Sequence, residues 1–220
     1  MKDLTALPEL IGSWPRTAAA EAALRLATEH SPAFLLNHSV RSYFYARSIG
    51  LGRGLVAGAD YDDEVLFVAT VLHDIGLTGE GDGPNRFEVD GAFRAAELAR
   101  EYGLREPAVT LIWDAVALHT SPGIAAHKRP EVALAHFGIG ADIFGFGAEE
   151  VDRAVLESAH AAFPWLDLRE RLIETVARQI DHQPSKWAPL SFVEAAYRRA
   201  RPENPFPGMD ELAAAPVLPG

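Results

Sequence analysis

Within residues 68–83, VATVLHDIGLTGEGDG, a histidine and an aspartate stand side by side where a strongly apolar run ends. A carboxylate without a partner in such surroundings costs several kcal/mol of desolvation, or else shifts its pKa and goes neutral. A bound divalent cation removes that cost by holding Asp74 ionised and His73 neutral. Three more residues sit in comparable surroundings. His38 lies inside AFLLNHSVRSYFY, where Leu35, Ser42 and Tyr45 share its helical face at spacings of three, four and seven. His119 ends another apolar stretch, with Ile112, Ala115 and Val116 along its face, and Asp142 falls among apolar residues and glycines in HFGIGADIFGFG. The pattern is therefore His38, the doublet 35 residues on, and Asp142 after another 68. The chain has no cysteine, so a metal site must draw on imidazole, carboxylate or backbone oxygen. Such donors suit zinc, iron, manganese or nickel without choosing among them. His30, beside Glu29 at a helix end, and His127, His160 and His182 read as surface residues, while His136 fits either reading.

The elements that must position these residues read as helices punctuated by glycine and proline. Residues 16–29 are alanine-rich and amphipathic, and Ser31-Pro32 opens a second helix that runs to about Gly50. Asp62 is placed to cap a third helix that is apolar all round in its middle, hence central and buried. Adjacent helical residues point about 100° apart, so His73 and Asp74 can share an ion only near a helix end. Gly76, suited to a left-handed cap, supplies one. A glycine-rich loop over 77–86 is placed to cover the site, and its glycines are too irregular for a phosphate cradle. Further helices are expected at about 88–102, 105–119, 129–138, 149–161, 167–181 and 191–200, with GIGADIFGFG as a separator. The expected fold class is all-α, one helical domain over 1–200 followed by a proline-rich, extended tail at 201–220.

Composition narrows the function classes. The chain has 220 residues, 48% hydrophobic and 23% charged, enough for one sizeable core. Its net charge of −11, with histidines neutral, disfavours nucleic acid and anionic membranes as partners and leaves a small-molecule substrate. The basic clusters AYRRAR and AHKRPE are short and lack the interleaved aromatics of a single-strand binder. The longest apolar run, Val65 to Leu72, is far too short for a bilayer, and MKDLTALPEL lacks the pattern of a secretory signal, so a cytoplasmic location is expected. Apolar aromatics in FGFG and FPWLDL leave a homo-oligomer open.

NHSVRSYFYA, VLHDIGLT and GADIFGFG together resemble the motif segments of the HD-domain superfamily, all-α metal-dependent hydrolases, over roughly residues 30–145. Within it, LLNHSVRSYFYA, LHDIGLT, FEVDGA and ALHTSPGIA look most like the cyanamide-hydratase-like branch. The resemblance implies an HD-type helical bundle and one divalent metal, commonly zinc, held by His38, His73, Asp74 and Asp142. It also implies hydration of a nitrile, as in cyanamide to urea. Binuclear relatives carry a histidine in a segment resembling HPxxGA, but here that position is Phe87, which points to one ion. A divalent ion with an open position lowers the pKa of bound water and presents hydroxide as nucleophile. Asp74 and His119 are then the candidate catalytic residues, with His119 or Glu88 supplying a proton to nitrogen. Asn37 and Glu88 are the candidate substrate-binding residues.

Two other functions fit the same residues. A phosphohydrolase acting on a nucleotide or phosphomonoester would need basic groups near the metal, and Arg41, Arg86 and Arg94 are available in sequence. A non-catalytic module that binds a metal, ligand or partner is the third.

Overall fold

The computed structural model describes residues 14–208; the N-terminal stretch read for a signal and the tail beyond 208 lie outside it. Nine α-helices and no strand occur among the described residues. They are α1 (Ala18–His30), α2 (Ala33–Gly52), α3 (Asp63–Leu72), α4 (Phe87–Glu101), α5 (Glu106–Leu118), α6 (Pro130–Phe144), α7 (Arg153–Ala162), α8 (Leu168–His182) and α9 (Phe192–Ala200). The fold class is all-α. No described helix is long and apolar enough to cross a membrane.

Local chemistry sets many of the helix ends. Thr17 accepts from the Ala20 N–H to start α1, Asp62 accepts from Glu64 and Val65 to start α3, and Asp152 and Ser191 do the same for α7 and α9. Each such cap contributes about 1 kcal/mol. Helix α3 is buried from Val65 to Leu72, as its unbroken apolar middle requires, and α1, α2, α5 and α6 pack around it.

Two glycines shape the site differently from their sequence reading. Gly76 is not left-handed; a Cβ there would lie 2.0 Å from the Phe87 carbonyl oxygen, so the start of α4 can approach only a glycine. The turn after α3 instead keeps His73 helical and continues through Asp74 into a 3-10 turn at Ile75–Leu77. The GIGADIFGFG stretch is not a separator. Helix α6 runs through it to Phe144 and stops at Gly145, whose φ is 77°. A Cβ on Gly138 would lie 2.3 Å from the Ser42 carbonyl oxygen, so this glycine lets α6 pack tightly on α2.

A second cluster, built on α8 and α9, also takes in Phe87, the first residue of α4. Residues 201–208 fold back on it, with Phe206 stacked on Trp187 at 4.7 Å and Arg198 donating to the Pro207 carbonyl.

Candidate functional site

Four elements bring their ionisable residues to one place. Helix α2 presents His38 from its interior, the ends of α3 and α5 present His73-Asp74 and His119, and α6 presents Asp142. All five are almost fully buried.

Each imidazole is oriented by a bond at Nδ1. His73 donates to the Thr70 carbonyl at 2.8 Å, His119 to the Val116 carbonyl at 2.6 Å, and His38 to Asp142 Oδ2 at 2.6 Å. With the proton at Nδ1, each neutral ring turns an Nε2 lone pair inward. The His38 and His73 Nε2 atoms lie 3.2 Å apart, and Asp74 Oδ2 is 3.2 Å from the second and 3.9 Å from the first. The Nε2 of His119 is 3.7 Å from Asp74 Oδ1. Facing lone pairs repel unless a cation or a proton lies between them. Beside a neutral His73, Asp74 Oδ2 is buried without a hydrogen bond, an arrangement costly for a carboxylate oxygen unless a metal cation or a protonated His73 satisfies it. Two neutral imidazoles and a carboxylate, with a third imidazole adjacent, are a donor set that fits a divalent cation such as zinc.

The electrostatics of the metal-free site follow from burial and crowding. Burial would lower the His73 pKa, yet Asp74 and the Thr70 carbonyl raise it above its ordinary value. Burial would raise Asp74, but His73 first, then His119 and His38, hold it far below the carboxylate range. Burial lowers His38 despite its bond to Asp142. Burial and the neighbouring His73 push His119 down to about 4, so its ring is neutral at pH 7.

Asp142, expected as a fourth ligand, stands instead behind His38. Its Oδ2 accepts from His38 Nδ1, on the side of the ring away from the cluster, and Arg41 forks both oxygens at 2.7 Å. Arg41 is fully buried and also donates to the Phe163 carbonyl at 2.6 Å. The tight α2–α6 packing at Gly138 brings Asp142, one turn later, against α2. A carboxylate behind a ligating histidine fixes its tautomer and raises its basicity.

The two substrate-binding candidates also point elsewhere. Asn37 donates to the Pro164 carbonyl at 2.7 Å and does not line the cavity above the cluster. Glu88 accepts from Arg86 at 2.5 Å and from the Thr120 hydroxyl at 2.8 Å, so its role is to position two residues that do line it. Of the loop at 77–86, only Arg86 lines the cavity. Asp90 accepts from Gly83 and Asn85, and the buried Lys186 ammonium bonds Asp82 and Asp90, which pins the loop to α4 and to the α8–α9 connection.

The cavity has a volume of about 570 Å³, and the buried His38, His73, Asp74 and His119 form part of its wall. His136 also lines it and donates from Nδ1 to the His119 carbonyl at 2.8 Å. Residues 136, 140 and 143 form one stripe of α6, a helical spacing that is visible only once the glycine-rich segment is known to be helix.

The HD-domain family model matches residues 35–182, about two thirds of the chain. No curated protein matches. The chain belongs to the HD-domain family, whose members are generally metal-dependent hydrolases.

Proposed function

We propose that this HD-domain protein is a mononuclear metal-dependent hydrolase or hydratase acting on a small molecule that carries no phosphate. The observation that carries the reading is the buried Asp74 Oδ2, facing the inward Nε2 atoms of neutral histidines in the wall of a cavity. His38, His73 and Asp74 would hold the cation, with zinc the choice this nitrogen-rich set favours. A bound divalent cation supplies a water activated at neutral pH.

Phe87 supports a single ion. Its ring lies 5.7 Å from that of His119, so an apolar group stands where binuclear relatives are expected to place a donor. The arginines give a phosphohydrolase little support. Arg41 is saturated by Asp142 and the Phe163 carbonyl, Arg86 is paired with Glu88, and Arg94 pairs with Glu80 away from the cavity.

The chain's own groups then divide the work. Asp142 and the Thr70 carbonyl keep His38 and His73 in the tautomer that can ligate. His119, neutral and anchored at Nδ1, takes a proton at Nε2 from the attacking water and returns it to the leaving or reduced-bond-order nitrogen. For a nitrile, the water oxygen bonds carbon, one C–N π bond opens, and both water protons end in the product amide. Cyanamide, giving urea, is the first substrate suggested by the sequence resemblance.

Metal analysis of the purified protein should find about one ion per chain, and His73→Ala should lose it. With metal bound, urea release from cyanamide and amide release from larger nitriles are measured beside phosphate release from nucleotides. Absence of metal from the wild-type protein overturns the reading, and phosphate release without amide or urea release replaces it with the phosphohydrolase.

A further inference from the structure

The walls of the cavity extend the reading above, on which this inference rests, to a class of substrate. A water occupies about 30 Å³ in the liquid, so a molecule the size of cyanamide would fill only about a tenth of the space. The 570 Å³ available is instead in the range that encloses a drug-sized ligand.

The lining beyond the metal donors is predominantly apolar. Helix α6 contributes Ile139 and Ile143, and Leu172 and Phe192 come from α8 and α9. The cationic side chain among them, Arg86, is neutralised by Glu88. Apolar character continues to the open rim, where Phe146 is 71% exposed and Leu190 75% exposed. Phe144 joins rim to wall, stacking on Phe146 at 5.3 Å and meeting Phe192 edge-on at 6.1 Å. Leu190 has a φ of 59°, a left-handed conformation that leucine rarely adopts, and its N–H is held by the Glu194 carboxylate at 2.5 Å. Backbone strain and a large exposed apolar side chain thus coincide at the rim of the cavity, and such strain clusters at active sites and ligand clamps.

We infer that the substrate has an uncharged, apolar body of about ten to twenty non-hydrogen atoms, with its reacting nitrile or amide-like group at one end. The body lies between α6 and the α8–α9 pair, and the polar end meets the histidines. Cyanamide is then a poor substrate beside nitriles with an alkyl or aryl group.

The test uses zinc-loaded full-length protein and two matched series. One is n-alkyl nitriles of two to ten carbons, read as kcat/KM; the other is the corresponding n-alkyl primary amides, read as Kd by calorimetry. Burial of each added methylene should tighten binding about three- to fourfold until the cavity is full. Ala195→Trp, a change at an exposed rim position on α9, should flatten both series while leaving the zinc content unchanged. A flat amide series in wild-type protein that holds one zinc overturns the inference and leaves the metal reading intact. A wild-type protein that binds no zinc overturns the metal reading, while a rising amide series in that protein still upholds the apolar site.

Discussion

Asp142→Asn separates a carboxylate that ligates from one that stands behind a ligand, and the structure fixes what each role would cost. In place of the carboxylate, an amide can present an oxygen to either His38 Nδ1 or Arg41, and its NH2 then faces a second donor. Arg41, fully buried, is left with an uncompensated charge and the Phe163 carbonyl. Breaking a buried pair in this way costs about 3–5 kcal/mol, which for a chain of this size lowers Tm by about 6–20 °C. Metal affinity should fall by about 10- to 100-fold, the usual effect of losing a carboxylate behind a ligating histidine. The two effects come apart in Arg41→Met combined with Asp142→Asn. Removing both charges restores most of the Tm, because no buried ion is stranded, while the metal affinity stays low. Thermal melts of metal-free protein and chelator-competition titrations of zinc read the two quantities separately. If Asp142→Asn abolishes zinc binding altogether in a folded protein, Asp142 is itself a ligand and the arrangement behind His38 is refuted. An unchanged zinc affinity refutes the orienting role just as directly.

Three further outcomes follow from the geometry. The His73 pKa is raised in the metal-free protein, yet the ring must be neutral to ligate, so below that raised value zinc uptake releases a proton. Affinity therefore falls as pH drops through and below that raised value, by up to about tenfold per pH unit, and calorimetry in buffers of different ionisation enthalpy counts the proton; a Kd unchanged between pH 8 and 6 contradicts this. Gly138→Ala should destabilise by about 1–3 kcal/mol in a thermal melt, because the new methyl meets the Ser42 carbonyl oxygen on α2; an unshifted Tm would show that this packing is not tight. Glu88→Gln should cost about 1–3 kcal/mol of stability by loosening Arg86 and Thr120, with zinc content unchanged, whereas a thousandfold loss of kcat/KM at full stability would place Glu88 in the reaction.

The fold class was legible from helical periodicity and glycine–proline punctuation, and the inward-facing cluster because ionisable residues in or at the ends of apolar helices are expensive, as His38, His73, Asp74 and His119 are. What escaped was set by tertiary packing. Gly138 and Gly140 each weaken a helix by about 1 kcal/mol relative to alanine, so residues 138–147 read as a loop. Contact with α2 overrides that preference and carries α6 on to Phe144. The side of His38 that Asp142 approaches depends on this contact, as does the stripe that takes His136 into the cavity. Asn37 and Glu88 are neighbours of site residues in sequence or space, but adjacency does not decide where a side chain finds its partner. The apolar wall supplied by Leu172 of α8 and Phe192 of α9 lies 30 and 50 residues beyond Asp142, out of reach of any local pattern.

In the proposed function, Phe87 links the number of ions to the kind of substrate. Its carbonyl forces glycine at position 76, which closes the turn that presents His73 and Asp74. Its ring packs edge-on against His119 on one side and against Phe192, a cavity wall, at 6.3 Å on the other. The same ring belongs to the buried cluster of α8 and α9, which Lys186 bolts to Asp82 and Asp90. A histidine at this position would add a donor but would surrender the apolar contact that seats the α8–α9 unit, and with it the wall. Under the proposed function, one ion and an apolar cavity both trace to this one side chain.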